Sequence, residues 1–563
     1  MSLICYNLTK YTVTMINQPL PAGRLSRCTV CKCCLFFILV MCGQAGNLFA
    51  TDLQIRITKP YLNIPVGNSA RMKLVKITGK SQREFPVQLA EGTVDYWIFV
   101  NVTEFLGQTI TLSCPANVAA LSRIYQDNQI NGTDSLYKES NRPQFHFTVK
   151  RGWSNDINGP IFFNNTFHLF WQAFPFGNSW NTGFMYWGHA TSKDMLHWKE
   201  LSPALMLDSL GSPWSGTAVI DHHNDGGWGK DAMVLYYTAF DRLSGKQVQC
   251  IAYSLDQGKT FTRYSGNPVI DSNQEVRSND TRDPKVFYYN QAKIWVMVLF
   301  EIDGMSFYNS KDMKKWTKES HFSGLHECPD FFELAVEGNP NEKKWILHGA
   351  SSDYFIGTFD GQVFHPESSR LKYAEGAHDF LYAAESFGNM PSDRRIQIAW
   401  GRIEHAGMPF TQMMLFPTEF KLKLTKSGLR LMASPIKEIE NLHASSRTWA
   451  SLSWEKANQQ LEAIKPGPLH ITFRADFSRA QFLKLFYQGR EIVNLMAKDF
   501  PKLENDIDIL IDKTVMEVFI NDGVHYIVRK LDQTANMTAL RFQADDASMM
   551  IKNLKVHQMK SIW

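Results

Sequence analysis

The 563-residue sequence is 44% hydrophobic and 20% charged, with glycine and proline spread along its length, which excludes a disordered or fibrous chain. Its formal charge of +4 is confined to the first fifty residues, where Lys10, Arg24, Arg27 and Lys32 meet no acid, leaving 59 − 4 = 55 basic residues against 55 acidic ones in the body. A neutral body excludes the electrostatic footprint of a nucleic-acid binder, and the length predicts three or four domains.

Residues 33–42 form an apolar run, preceded by basic residues and followed by small ones. Spanning a bilayer takes about 20 apolar residues, so residues 1–50 read as a leader that exports the chain and is cleaved after Ala45 or Ala50. The segment Leu39-Val40-Met41-Cys42 is an imperfect lipoprotein box, which leaves open a lipidated Cys42 and membrane association through it. Six of the nine cysteines lie in this leader; only Cys114, Cys250 and Cys328 remain, too few for a disulfide framework. Stability must come from packing.

Residues 51–140 carry strand-like pieces, Leu53–Ile57 and Tyr96–Val102, and predict a small β accessory domain. From about residue 160 the apolar runs are short and β-branched or aromatic: Phe167–Phe174, Met233–Phe240, Lys293–Phe300, Lys344–Gly349 and Arg395–Trp400. These are strands. Ser192-Lys-Asp194, Ser254-Leu-Asp256 and Ser310-Lys-Asp312, each followed by an aromatic, recur at spacings of 62 and 56 residues, the length of one four-stranded propeller blade with its connections. They read as hairpin turns packed on their own blades. Residues 443–464 are polar and partly helical, after which strands return at Leu469–Phe473, Ile507–Ile511, Val515–Ile520 and Tyr526–Lys530, with Asn521-Asp-Gly523 as a turn. This last segment predicts a β-sandwich.

Three acidic motifs punctuate the strands. In Trp153-Ser-Asn155-Asp156-Ile157-Asn158-Gly159 a carboxylate bracketed by amides can be held ionised by local hydrogen bonds, as a nucleophile requires. In Arg282-Asp283-Pro284 the guanidinium is placed to orient the neighbouring acid. In Glu327-Cys328-Pro329-Asp330 the first acid sits beside a poorly solvating thiol and a rigid ring, a setting that favours a proton donor. Each motif alone also reads as an ordinary turn.

Together, in this order, they resemble glycoside hydrolase family 32, the β-fructofuranosidases that include invertases, inulinases and levanases. The likeness runs from about Arg151 to the C-terminus and includes His168-Leu-Phe-Trp-Gln172, Trp187-Gly-His189, Trp214-Ser-Gly216, Gln249-Cys-Ile-Ala-Tyr253, Trp400 and Ile511-Asp-Lys-Thr-Val-Met-Glu517-Val-Phe519. Two departures stand out: Ile157 replaces the family's usual proline, and residues 176–186 are slightly longer than the family pattern.

The resemblance implies an all-β fold: a five-bladed β-propeller catalytic domain (141–440) followed by a C-terminal β-sandwich (441–563), behind the N-terminal β accessory domain (51–140). It implies Asp156 as nucleophile, Glu327 as general acid/base and Asp283 as transition-state stabiliser, with Asn155, Gln172, Trp180, Trp214, Ser215, Arg282 and Trp400 around the sugar. The expected activity is exo-acting release of fructose from levan, inulin or sucrose, with no metal, organic cofactor or obligate protein partner. A fructosyltransferase, an inverting arabinan- or xylan-cleaving enzyme and a non-catalytic carbohydrate-binding propeller are the alternatives.

Overall fold

The structure, a computed structural model, describes residues 51–563 apart from 116–117, 272–278, 376–379, 466, 488, 500–502 and 532–539. The expected leader, with Cys42 and both cleavage positions, lies outside the described residues. Nearly all regular structure is β; among the described residues the longest helix is Trp454–Glu462, nine residues started by the Ser453 side chain accepting from the Lys456 amide.

Residues 51–127 form a four-stranded sheet (Thr51–Arg56, Thr109–Cys114, Lys73–Thr78, Gln82–Val87, in spatial order) and a three-stranded one (Tyr96–Asn101, Tyr61–Val66, Tyr125–Asp127). Alternation sends Leu62, Ile64 and Val66 from one sheet and Val75, Ile77, Ile110 and Leu112 from the other into a shared core. That core does not end with the domain. Phe174, Phe176, Met185 and Tyr186 belong to it, and Phe85 stacks on Phe176 with ring centres 4.6 Å apart.

Antiparallel meanders follow. Gly152–Ile157, Thr166–Phe174, Tyr186–Ser192 and Trp198–Glu200 pair in succession, and Phe410–Thr411 returns to lie parallel to Gly152–Trp153. Two further four-stranded sheets begin with Ser212–Asp221 and Thr281–Tyr289. A ten-stranded sheet holds the meander from Asp330–Val336 to Phe364–Pro366 and the strands Leu381–Ser386, Arg395–Gly401, Thr418–Thr425 and Gly428–Pro435, its two parts joined by one parallel register point, Val336 opposite Leu422. The expected strands are all present.

The Ser-x-Asp repeat is a turn linking the third and fourth strands of three sheets. In each copy the Asp Oδ1 accepts from the serine hydroxyl (2.9, 2.7 and 3.2 Å) and from backbone amides downstream. The residue after each Asp, namely Met195, Gln257 or Met313, has φ of 64° to 65°, so the side-chain hydrogen bonds secure a left-handed turn without glycine.

The C-terminal part supplies six strands of a seven-stranded sheet, with Ala374–Glu375 as the seventh at one edge, and a three-stranded sheet of its own. Residues 443–464 are polar and partly helical as read, the helix being Trp454–Glu462; the eleven-residue strand His443–Ser453 before it is an addition. As the edge strand of its sheet, with most side chains exposed, it lacks the apolar alternation that marks a strand in sequence. The Asn521-Asp522-Gly523 turn forms as predicted, and a Cβ at Gly523 would lie 1.8 Å from the Ala433 carbonyl oxygen, which only glycine permits.

Candidate active site

Three strands that open successive sheets carry a bulge at the same level, with two residues facing one across the pair. Asn155 and Asp156 face Gln172; Trp214 and Ser215 face Thr238; Asp283 and Pro284 face Leu299. A bulge breaks the strict up-and-down alternation and re-aims a side chain. Asp156 thus lies within strand Gly152–Ile157, not in a free turn. Gly159 follows because the next sheet runs against it: with φ of 53°, a Cβ there would meet the Ala218 amide at 2.0 Å.

The bulges bring the predicted acids together. The Ser215 hydroxyl donates to Asp156 Oδ2 at 2.9 Å, and the Asn155 side chain also hydrogen-bonds the Asp156 carboxyl. The Asp283 carboxylate accepts from the Cys328 amide at 3.0 Å, and the Cys328 thiol lies 3.5 Å from Asp283 Oδ2 and 3.8 Å from Asp156 Oδ2. The residue after Glu327 therefore touches both aspartates. Glu327 has both oxygens engaged: Arg282 donates from Nε and Nη2 to Oε2, and the Tyr382 hydroxyl donates to Oε1 at 2.6 Å. Asp283, Glu327 and Cys328 have φ of 64°, 29° and 44°, strained values for side-chain-bearing residues that recur where geometry serves chemistry.

Three acids around one guanidinium cannot all ionise freely. Loss of solvation, then the neighbouring Glu327, pushes the Asp156 carboxyl up to about 6 against the donors from Ser215 and Asn155. Burial likewise carries Asp283 up to about 7, opposed by Arg282 and reinforced by Glu327 and Asp156. The Cys328 thiol is raised well above its ordinary value by burial and by the same carboxylates, so it stays protonated between them.

One expectation fails here: Arg282 does not chiefly orient Asp283. Its hydrogen bonds go to Glu327 and Asp280, and its Nε is 3.8 Å from Asp283 Oδ2, because the bulge turns the aspartate away from its neighbour. Asp283 is oriented instead by Cys328 and by Thr238, whose hydroxyl accepts the Asp283 amide and donates to Gln249.

The other predicted residues divide. Gln172 is buried behind the Asp156 strand, donating to the Pro213 carbonyl at 3.0 Å, and so braces the segment before Ser215. Trp214 is a wall rather than an open platform: its ring stacks on Phe240 at 4.0 Å, and its carbonyl accepts from Trp187. Trp400 meets Tyr382 and Trp153 edge-on, at 6.1 and 6.2 Å. Trp180, on the loop before Tyr186–Ser192, is 59% exposed. The Ile511–Phe519 motif is remote from the acids. Its Asp512 and Glu517 clamp the two ring nitrogens of His146 at 2.9 and 2.7 Å, joining the C-terminal sheet to the irregular segment before Gly152.

Sequence reasoning missed Tyr382, Thr238 and a buried triad beneath the acids, in which Lys285 Nζ lies 3.0 Å from Asp330 and 2.8 Å from Glu385. A small cavity lined by Ser215, Gly216, Asp283, Pro284, Cys328 and Pro329 marks the acid end of the inner strands. A larger one, of about 1100 Å³, is lined by their downstream halves (Thr217–Ile220, Lys285–Tyr289, Phe331–Val336), away from the acids. Three carboxyl groups held at close quarters, two of them aspartates raised by burial, suit acid–base and covalent chemistry at an acetal.

Residues 146–435 match the glycosyl hydrolases family 32 N-terminal domain. A levanase of Bacillus subtilis is 34% identical over 495 residues, 76% of this chain and 72% of that protein. An extracellular exo-inulinase of Aspergillus niger is 31% identical over 401 residues, 61% of this chain and 73% of its own length. Among solved structures, an exo-inulinase from Aspergillus awamori superposes with a TM-score of 0.67 over 76% of this chain and 100% of that one, at 24% identity, and shares the fold.

Proposed function

The chain belongs to glycoside hydrolase family 32, and from that membership we propose that it is an exported exo-β-fructosidase, cleaving terminal fructosyl units of levan, inulin or sucrose with retention of configuration. The observation that carries the reading is the convergence of Asp156, Asp283 and Glu327 through Cys328 and Arg282.

Asp156, oriented by Ser215 and Asn155, attacks the anomeric carbon. Glu327 gives its proton to the departing oxygen, then takes one from the water that releases the fructosyl group from Asp156. Positive charge develops on the sugar between these steps, and Asp283 stabilises it. Trp180, Trp214 and Trp400 are assigned to the walls of the sugar pocket, with Arg282 holding Glu327. Levan and inulin rank ahead of sucrose on the names of the relatives. The sheets from Gly152 to Pro435 are read as the five propeller blades of a domain at 141–440, flanked by the accessory domain at 51–140 and a sandwich at 441–563. The apolar leader and the extracellular relatives support export.

The test changes the leaving group. Fluoride departs from a fructosyl fluoride without a proton, so Glu327→Ala should lose turnover on sucrose yet still be fructosylated by the fluoride, and azide should capture the fructosyl group with retained configuration. Asp156→Ala should fail with both substrates. Rescue of Asp156→Ala by the fluoride, or an inverted wild-type product, overturns the roles.

A further inference from the structure

Asp156 has two polar side chains holding its carboxyl, Ser215 and Asn155, and each stands beside a tryptophan that packs against the core joining the N-terminal domain to the catalytic sheets. Trp153 and Trp214 both lie against the apolar core that residues 57–124 share with Phe174, Phe176, Met185 and Tyr186 of the catalytic sheets. Trp153 donates from its indole nitrogen to Asn155 Oδ1 at 2.9 Å, and the Asn155 side chain in turn bonds Asp156. Across the strand pair Trp153 faces Phe174, a full member of the same core. Trp214 immediately precedes Ser215, with Phe240 stacked on its ring and Trp187 fixing its carbonyl. Phe85, 3% exposed, stacks on Phe176 and so closes the contact from the accessory side.

We infer that the N-terminal β-domain is a positioning element of the catalytic site, fixing through Trp153 and Trp214 the two side chains that hold the Asp156 carboxyl. This rests on Asp156 being the nucleophile. A side chain that must meet a carbon in line gains from being held rigidly, and small displacements from afar are costly. The packing supplies that rigidity: each indole lies against the core shared by the two domains and against an aromatic ring of the catalytic sheets, Trp400 or Phe240. Neither Phe85 nor Phe176 is bonded to a carboxylate of the site, so their influence can reach it only through this packing.

The test uses the full chain. Trp153→Phe keeps an aromatic ring in the core and deletes the indole N–H together with the five-membered ring that carries it. Its kcat on the best fructoside should fall about tenfold or more with KM little changed. The acid limb of its pH profile should move to higher pH, because Asp156, which also faces Glu327, Asp283 and Cys328, loses an oriented donor. Phe85→Ala should shift kcat and the acid limb in the same direction by a smaller factor, and the double variant should lose less than the product of the two. Near-ultraviolet circular dichroism checks the fold; if Phe85→Ala does not fold, Phe85→Leu, which keeps the apolar volume and removes the stack, carries the test. Folded Phe85 variants with wild-type kcat and acid limb overturn the inference. A wild-type protein that cleaves none of sucrose, inulin and levan overturns the reading beneath it instead.

Discussion

Arg282 gives Glu327 two hydrogen bonds, Nε at 3.1 Å and Nη2 at 2.9 Å, both to Oε2, and so leaves Oε1 to the phenol of Tyr382. The carboxyl is gripped at both oxygens, by Arg282 from the sheet that Thr281–Tyr289 opens and by Tyr382 from the ten-stranded sheet, which fixes its rotamer before any sugar arrives.

Tyr382→Phe tests that grip. Removing one hydroxyl frees half of the Glu327 carboxyl, and kcat/KM on a fructoside should fall about tenfold, the scale of a misaligned proton donor, while the melting temperature moves little. Unchanged kcat/KM would show that Arg282 alone suffices.

Asp283→Asn should be nearly inactive and more stable. The change is almost isosteric and removes a charge aimed at the developing cation, worth about 10²–10³ in kcat. Asp283 is 5% exposed and its folded carboxyl is raised to about 7, whereas an unfolded one titrates near about 4. The native state therefore binds the extra proton between these values, and stability falls as pH rises through that window. Asparagine carries no charge to bury, so the variant should melt above wild type at pH 8 and converge with it below about pH 4. Equal melting curves at pH 8 would contradict this.

The acid limb of wild-type kcat/KM should run from about pH 7 to about pH 6, where Asp283 and then Asp156, both raised by burial and by Glu327, become protonated and lose the charges that stabilise the cation and attack. A profile flat down to pH 4 would place the nucleophile elsewhere.

His146 offers a stability test remote from the chemistry. Burial alone would lower its pKa, but hydrogen bonds to Asp512 and Glu517 win and raise it to about 9. A raised histidine contributes stability that is complete below its unfolded pKa, about 6.5, and is lost as pH climbs through about 9. His146→Leu leaves two buried carboxylates unpaired and should cost about 3–5 kcal/mol at pH 6, with a smaller penalty at pH 9.5. A penalty that grows with pH would refute the sign.

The strands were legible in sequence because they rest on local signals, β-branched runs and Ser-x-Asp turns, whereas the three acids, each in a motif that alone reads as a turn, were singled out by their joint order and the resemblance it carries. Tyr382 was not, since its partner is 55 residues away and nothing around Leu381–Ser386 marks it as other than a strand. Lys285 reads as an ordinary strand residue until Asp330 and Glu385 arrive from two strands of the ten-stranded sheet. Arg282 was misassigned for the converse reason: adjacency in sequence suggested a pair that the bulge at Asp283 separates. The polar His443–Ser453 strand hides because an exposed edge needs no apolar face.

The shared placement of Asp156, Ser215 and Asp283 on bulges makes the activity separable from the scaffold. Deleting one bulged residue would restore regular pairing and swing the side chain out of the pocket while leaving the ladder of hydrogen bonds on either side intact. The sheets would persist as a sugar-shaped receptor without turnover. Catalysis in this molecule is thus one residue per strand away from being lost, and a lineage could exchange an enzyme for a lectin by length changes alone, without touching a core side chain.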